Sequence, residues 1–384
     1  MTTLTAIRGA RIFDGHDWHG DHTLLLGGDR IRAILPAKET LPATRTVDYD
    51  GLLVVPGFID LQVNGGGGVQ FGDRTSAEAI RQIANAHARF GTTRLLPTLI
   101  TDTREVTEKA LEAGRAARAE KVPGFLGLHL EGPHLSHARK GAHDPALIRP
   151  MEEPDLDRLL RYRREAGLLM TTVAPESVTL EQIATLAGND VQVSIGHTDT
   201  TAKTALACFE AGARMVTHLF NAMSPLTHRE PGLVGAALHD GRVFAGLIAD
   251  GVHVDPVAMG IALRAKQGPG RIFLVTDAMA PLGTEMSEFQ LNGRRIFRKD
   301  GRLTLADGTL AGADIDMLSS VRLLVERLRL PLDEALRMAS LYPASAARID
   351  GSHGRLAPGY VADFVALTPA LDHVATWIDG VLSV

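Results

Sequence analysis

From Leu53 onward the chain alternates short apolar stretches with amphipathic ones, which restricts it to parallel strands with helices packed against them. Eight strand candidates occupy residues 53–63, 93–99, 124–130, 168–174, 191–196, 214–219, 243–249 and 271–276. The clearest helix runs from Glu78 to Phe90. Thr75 and Glu78 have the spacing of a capping box, Ile80, Ile83 and Ala84 share one face, and Gly91 stands where a C-terminal cap glycine belongs. Eight such units fit an α/β fold closed into a (β/α)8 barrel of the TIM type. A doubly wound open sheet satisfies the same periodicity, because alternation does not fix closure.

The flanks follow another pattern. Residues 4–49 read as short strands joined by tight turns, as at Gly27-Gly28-Asp29. Val361–Leu367 and His373–Val384 are strand-like again, with Asp379-Gly380 as a turn. The expected division is a small β-sandwich domain built from both termini, residues 1–54 and 355–384, around the barrel at 55–354. A hairpin is expected within residues 288–305, inserted after the eighth strand. The glycine run Gly65–Gly68 is too short for a linker and suits a loop where backbone must approach something closely.

Composition removes several function classes. Hydrophobic residues make up 45% and charged residues 22%, which argues against disorder. A net charge of −5 gives no reason to expect nucleic acid as a partner. The lone cysteine, Cys208, can form neither an internal disulfide nor a thiolate zinc site, and reads as a small buried hydrophobe. No apolar run reaches membrane-spanning length, and the opening MTTLTAIRGARIF lacks the apolar core of a signal peptide. The expectation is a cytoplasmic protein with no membrane partner.

Chemistry in such a barrel gathers at the C-terminal ends of the strands. The first strand ends in Asp60, Gln62 and Asn64, the third in His129, Glu131 and His134, and the fifth in His197. The sixth ends in His218 and Asn221, the seventh in Asp250 and His253, and the eighth in Asp277. Each has a plain structural reading: Asp277 as a helix cap, His197 as a hydrogen-bonded core histidine, His218 as a sheet-edge residue. Glu131 resists that treatment, since an unpaired carboxylate after an apolar strand is costly to bury. A glutamate and two histidines offer three zinc ligands and leave a fourth position for water, with Asp277 as a nearby carboxylate free to move a proton. Spacing alone leaves a metal hydrolase and a barrel without metal equally open.

The stretches VPGFIDLQVNGGGGVQF, HLEGPHL, KGAH, SIGHT, THLFNAM, DGVHV, VTDAM and TLAG, followed by Gly354-Arg-Leu-Ala-Pro-Gly359 and Ala362-Asp363, resemble the amidohydrolase superfamily. Within it they resemble the branch that removes acetate from 6-phosphorylated N-acetylamino sugars, gluco or galacto. The likeness spans residues 54–312 and the tail. It implies one divalent ion per subunit, Zn2+ first and Fe2+, Co2+ or Mn2+ as alternatives, held by Glu131, His197 and His218. Gln62 and Asn64 stand where the wider superfamily places a His-x-His pair for a second metal, and neutral amides are poorer ligands than imidazole. The bridging lysine of the superfamily also has no counterpart.

The resemblance further implies Asp277 as general base and acid, and His143 as a donor to the substrate carbonyl or sugar. It implies Ala142, His143 and the loop Leu310, Ala311 and Gly312 as sugar contacts. Arg229 and His253, with the backbone N–H groups at Asn221 and Ala222, suit a phosphate. In the resembling branch the arginine reaches across from a second subunit, which implies a homodimer. Taken alone, His143 is an exposed loop histidine and Arg229 a solvated charge. His87 reads as helix packing, His16, His19 and His22 lie in the N-terminal β region, and His137 and His228 have no assigned role. Another amidohydrolase activity, or a silent sugar-phosphate-binding regulator on the same scaffold, remains the competing reading.

Overall fold

A computed structural model describes residues 4–39 and 45–384. Residues 1–3 and 40–44, assigned by sequence to the N-terminal β region, lie outside the described residues. Eight strands form one parallel sheet: β1 Phe58–Val63, β2 Thr92–Ile100, β3 Gly127–Glu131, β4 Leu168–Val173, β5 Gln192–Ile195, β6 Met215–Val216, β7 Phe244–Leu247 and β8 Ile272–Leu274. Each pairs in parallel with its sequence neighbour. The chain just beyond β8 returns to β1: the Asp277 N–H donates to the Gln62 carbonyl at 2.9 Å and the Asn64 N–H to the Ala278 carbonyl at 2.9 Å. A parallel bridge between Val63 and Ala278 completes the ring. The sheet is a closed barrel, which disposes of the open-sheet alternative.

Helices follow the strands as the alternation requires. Every residue of β2 is buried, as expected for a strand covered on both faces. Inside the barrel, Ile59, Leu61, Leu96, Met170, Met215, Phe244, Phe273 and Val275 form a packed plug, so this fold is a core and not a pore. The helix expected at Glu78–Phe90 is α1, Ala77–Ala88. Its cap is Ser76 and not Thr75: the Ser76 hydroxyl accepts the Ala79 N–H at 3.1 Å.

The candidate strand 53–63 is two strands. Leu53–Pro56 pairs with Phe364–Leu367 and Arg11–Phe13, whereas β1 begins at Phe58. Gly57 makes the break. A Cβ there would stand 2.2 Å from the Thr93 hydroxyl, so only glycine lets the chain pass between sheet and barrel. Leu53–Pro56 thus sits in a six-stranded sheet that interleaves both chain ends, and a second sheet of four strands lies within residues 4–48. The glycine run behaves as expected, since a Cβ on Gly65 would meet the Val69 carbonyl at 2.4 Å and the Ala280 nitrogen at 2.7 Å. The expected hairpin at 288–305 is larger than the pattern suggested. Glu288–Leu291, Arg294–Lys299, Arg302–Thr304 and Leu310–Ala313 form a four-stranded antiparallel sheet whose apolar side packs on Ile100, Met279 and Ala280. Among the described residues no helix is long and apolar enough to cross a membrane.

One buried ion pair ties the terminal sheet to the barrel. Arg94 of β2 donates to Asp363 through Nε at 2.6 Å and Nη2 at 3.1 Å, and also to Asp379. Replacing the arginine strands a buried carboxylate. Arg94→Met is therefore expected to lower the unfolding free energy by about 3–5 kcal/mol, read from urea denaturation midpoints.

Candidate active site

Of the polar residues singled out at the strand ends, Asn64, Glu131, His197, His218, Asn221, His253 and Asp277 meet at one mouth of the barrel, whereas His129 bonds Thr172 at 2.7 Å and His134 lines a separate small cavity. Glu131 is the last residue of β3, while His197, His218 and Asp277 stand two or three residues beyond β5, β6 and β8. The last three all have left-handed backbone, with φ of 47°, 27° and 52°. Non-glycine residues in that region each carry strain of roughly 1–3 kcal/mol and collect where function holds them. Here the left-handed turn lifts each side chain off the strand direction and over the barrel axis.

Glu131 Oε1 lies 3.1 Å from His197 Nε2 and 3.0 Å from His218 Nε2, and the two Nε2 atoms are 3.1 Å apart. Donors about 2.0–2.1 Å from a tetrahedral zinc ion stand roughly 3.3 Å from one another, so the three atoms have the separation a single cation imposes. His197 Nδ1 lies 2.9 Å from the Arg139 carbonyl, which accepts its proton and leaves Nε2 as a lone pair. His218 Nδ1 is buried with no partner and departs from that usual outer support. Two imidazole lone pairs and a carboxylate cannot crowd together uncompensated. A cation fits the set.

A second grouping, Glu131, His143 and His197, brings donor atoms within 4.8 Å of one another. The bonding of His143 argues against its being a ligand. Its Nδ1 accepts the Thr101 N–H at 3.2 Å and lies 2.7 Å from the Thr101 hydroxyl, which puts the proton of a neutral ring on Nε2. Burial, with His197 beside it, pushes His143 down to about 3, so the ring is neutral and its Nε2–H is a donor. His143 is thus buried, and the reading as an exposed loop residue is corrected: Thr101 and the His197 ring, 4.4 Å away between centroids, pin it.

Gln62 and Asn64 have a role that sequence showed only as an absence of histidine. Gln62 Nε2 donates to Glu131 Oε1 at 3.0 Å and to Asp277 Oδ1 at 3.2 Å, and Asn64 Nδ2 donates to Asp277 Oδ1 at 2.6 Å. Both amides take the same oxygen of Asp277 and leave Oδ2 free. Burial, then the nearby Glu131 charge, holds the Asp277 carboxyl above the ordinary range.

Asn64, Glu131, His197, His218 and Asp277 line one cavity of about 270 Å3, and Gln62 stands behind its wall. Ala142, His143, Asn221, Ala222, His253, Leu310 and Gly312 line it too. Ala311 does not. It alternates to the opposite face of its strand and packs in the core of the inserted sheet. Arg229 does not either: it lies on the exposed stretch 225–230, and the cavity of a single chain does not include it. Sequence reasoning missed Ile100, Ile248, Met279, Leu291 and Thr309 on the wall. Only the hairpin pattern after the eighth strand hinted that Leu291 and Thr309 stand at this mouth.

The chain matches the model of the amidohydrolase family over residues 53–382. This chain belongs to the amidohydrolase family. The amidohydrolase is 43% identical over 351 residues to the N-acetylgalactosamine-6-phosphate deacetylase of Shewanella sp. (strain ANA-3), covering 90% of this chain and 88% of that one. It is 37% identical to the N-acetylglucosamine-6-phosphate deacetylase of Haemophilus influenzae, with 96% of each chain covered. The crystal structure of N-acetylglucosamine-6-phosphate deacetylase from Pasteurella multocida superposes with a TM-score of 0.94 at 34% identity, covering 98% of each chain.

The two ligand groupings differ in one histidine, which metal analysis can separate. His218→Gln and Glu131→Gln are expected to lower the bound metal of this amidohydrolase by tenfold or more in affinity, roughly, while His143→Gln retains it. Elemental analysis after dialysis against a weak chelator reads the difference.

Proposed function

We propose that this protein hydrolyses the acetamide of N-acetylglucosamine 6-phosphate to glucosamine 6-phosphate and acetate. The observation that carries the reading is the meeting of Glu131 Oε1, His197 Nε2 and His218 Nε2 within 3.1 Å in a cavity that also holds a carboxylate with one free oxygen. The relatives named above supply the substrate class, and one of them acts on the galacto epimer.

Glu131, His197 and His218 would hold one divalent ion per subunit, zinc in our reading. Such an ion supplies Lewis acidity, acidifying water and polarising the amide carbonyl. Asp277 Oδ2 takes the proton of the attacking water, while Gln62 and Asn64 keep Oδ1 fixed. The same Oδ2 returns the proton to the departing amine nitrogen as the C–N bond breaks. A carboxyl held above its usual range by burial suits both halves of that exchange. His143 Nε2–H donates to the carbonyl oxygen as it gains charge. Ala142, Leu310 and Gly312 close around the sugar.

The phosphate is met by His253, by the backbone N–H of Ala222 and by Arg229 of a second copy, while the Asn221 N–H is already donated to the His218 carbonyl at 2.9 Å. Arg229 is exposed and forms no ion pair among the described residues, and Leu226, Val257 and Ile261 are exposed apolar side chains. A homodimer follows as part of this reading. A single buried, unpaired cysteine suits a reducing compartment, and we place the protein in the cytoplasm.

Acetate release from both 6-phosphorylated epimers, with zinc added, tests the proposal. The gluco sugar is expected to be the better substrate, and no release from either epimer by metal-loaded protein would overturn the reading. Asp277→Asn should lower kcat by about 10²–10⁴-fold with metal content unchanged, deamidation being excluded by mass spectrometry.

A further inference from the structure

We infer that Asp250 is a positioning residue that clamps His253 into a fixed anion anchor for the substrate's phosphate; this rests on the 6-phosphate reading above. The argument begins with charge. A phosphate dianion in the cavity needs cationic partners, yet no lysine or arginine of the same chain lines it. Four histidines do: His143, His197, His218 and His253. His197 and His218 face Glu131, and His143 has its Nδ1 occupied by Thr101. The His143 Nε2–H is assigned to the substrate carbonyl, so His253 is the one left for the phosphate.

Asp250 holds that ring from behind. Its Oδ2 accepts the His253 Nδ1–H at 2.6 Å, and its Oδ1 accepts the backbone N–H groups of Val252 and His253, both at 2.8 Å. The two side chains are 8% and 6% exposed for His253 and Asp250, respectively. Asp250 lies off the cavity wall and His253 on it, which leaves Nε2 as the free nitrogen. Burial opposes the Asp250 charge, but its bond to His253 and the two N–H groups hold the carboxyl below the usual range. Capping this turn needs only Oδ1. The second oxygen spends a buried charge on fixing a cavity-facing ring, and it also sets which nitrogen carries the proton. With its Nδ1–H given to Asp250, the ring is fixed in orientation and meets a phosphate through Nε2.

Asp250→Asn presents an N–H to Nδ1 and reverses the ring's preference. Asp250→Ser keeps a turn-capping oxygen but cannot reach the ring, so it separates the two roles. In metal-loaded enzyme, each is expected to raise KM for the phosphorylated sugar by about tenfold to a hundredfold and to leave kcat within about twofold. Inhibition by inorganic phosphate should weaken by the same factor, and kcat/KM for unphosphorylated N-acetylglucosamine should not change. Pairing Asp250→Asn with His253→Gln should cost no more than His253→Gln alone. Unchanged KM in Asp250→Asn and Asp250→Ser, or equal losses on both sugars, would overturn the clamp. So would additive effects in the double variant. If the unsubstituted enzyme shows no preference for the phosphorylated sugar, the 6-phosphate reading itself fails. If it shows that preference and only His253→Gln abolishes it, the clamp alone fails.

Discussion

Closure of the barrel at the seam between β8 and β1 is the constraint to which the side chains at its mouth answer. The Asp277 N–H and the Gln62 carbonyl form one of the hydrogen bonds that close the ring, and the side chains of those same residues meet again over its mouth. A buried carboxylate lies under the seam. Asp60 accepts the Thr276 hydroxyl at 2.5 Å and the backbone N–H groups of Thr276 and Gln62, both at 3.2 Å. Asp60 is fully buried at this joint, and that burial pushes its carboxyl up to about 7. The backbone that shuts the barrel therefore also aims the Asp277 carboxylate. Strain at the left-handed Asp277 is sustained because strand pairing on one side and the inserted sheet on the other hold it in place.

Much of this was legible in the residues for a physical reason. Glu131, His197, His218 and Asp277 are polar side chains placed directly after apolar strands, where burial without a partner is expensive. Their shared phase with the strand ends is a signal that periodicity and cost deliver together. Gln62 and Asn64 were legible only as poor metal ligands. That they brace Glu131 and Asp277 depends on distances across the barrel that no spacing along the chain encodes.

Other features failed to show for equally physical reasons. The apolar run through residues 53–63 gave no sign of changing sheets, because both halves are buried and only the steric demand at Gly57 divides them. Ser76 and Thr75 are adjacent hydroxyls, and competition between neighbouring caps is settled by backbone angle. Ala311 follows from alternation within a strand that could not be recognised as the fourth of its sheet. Arg229 sits on exposed chain, where one subunit's sequence says nothing of what covers it.

The cavity wall has two origins. Glu131, His197, His218 and Asp277 stand at the ends of barrel strands, whereas Leu291, Thr309 and Leu310 belong to the inserted sheet, whose apolar core takes in Ile100, Met279 and Ala280 from the barrel. That sheet joins the barrel through the Ala278–Ala313 bridge, the Ala313 N–H donated to the Asp277 carbonyl at 3.0 Å, and a bond from Arg294 to the Ala142 carbonyl. A substitution in the inserted sheet is therefore felt twice, at the wall of the cavity and along the backbone that carries Asp277.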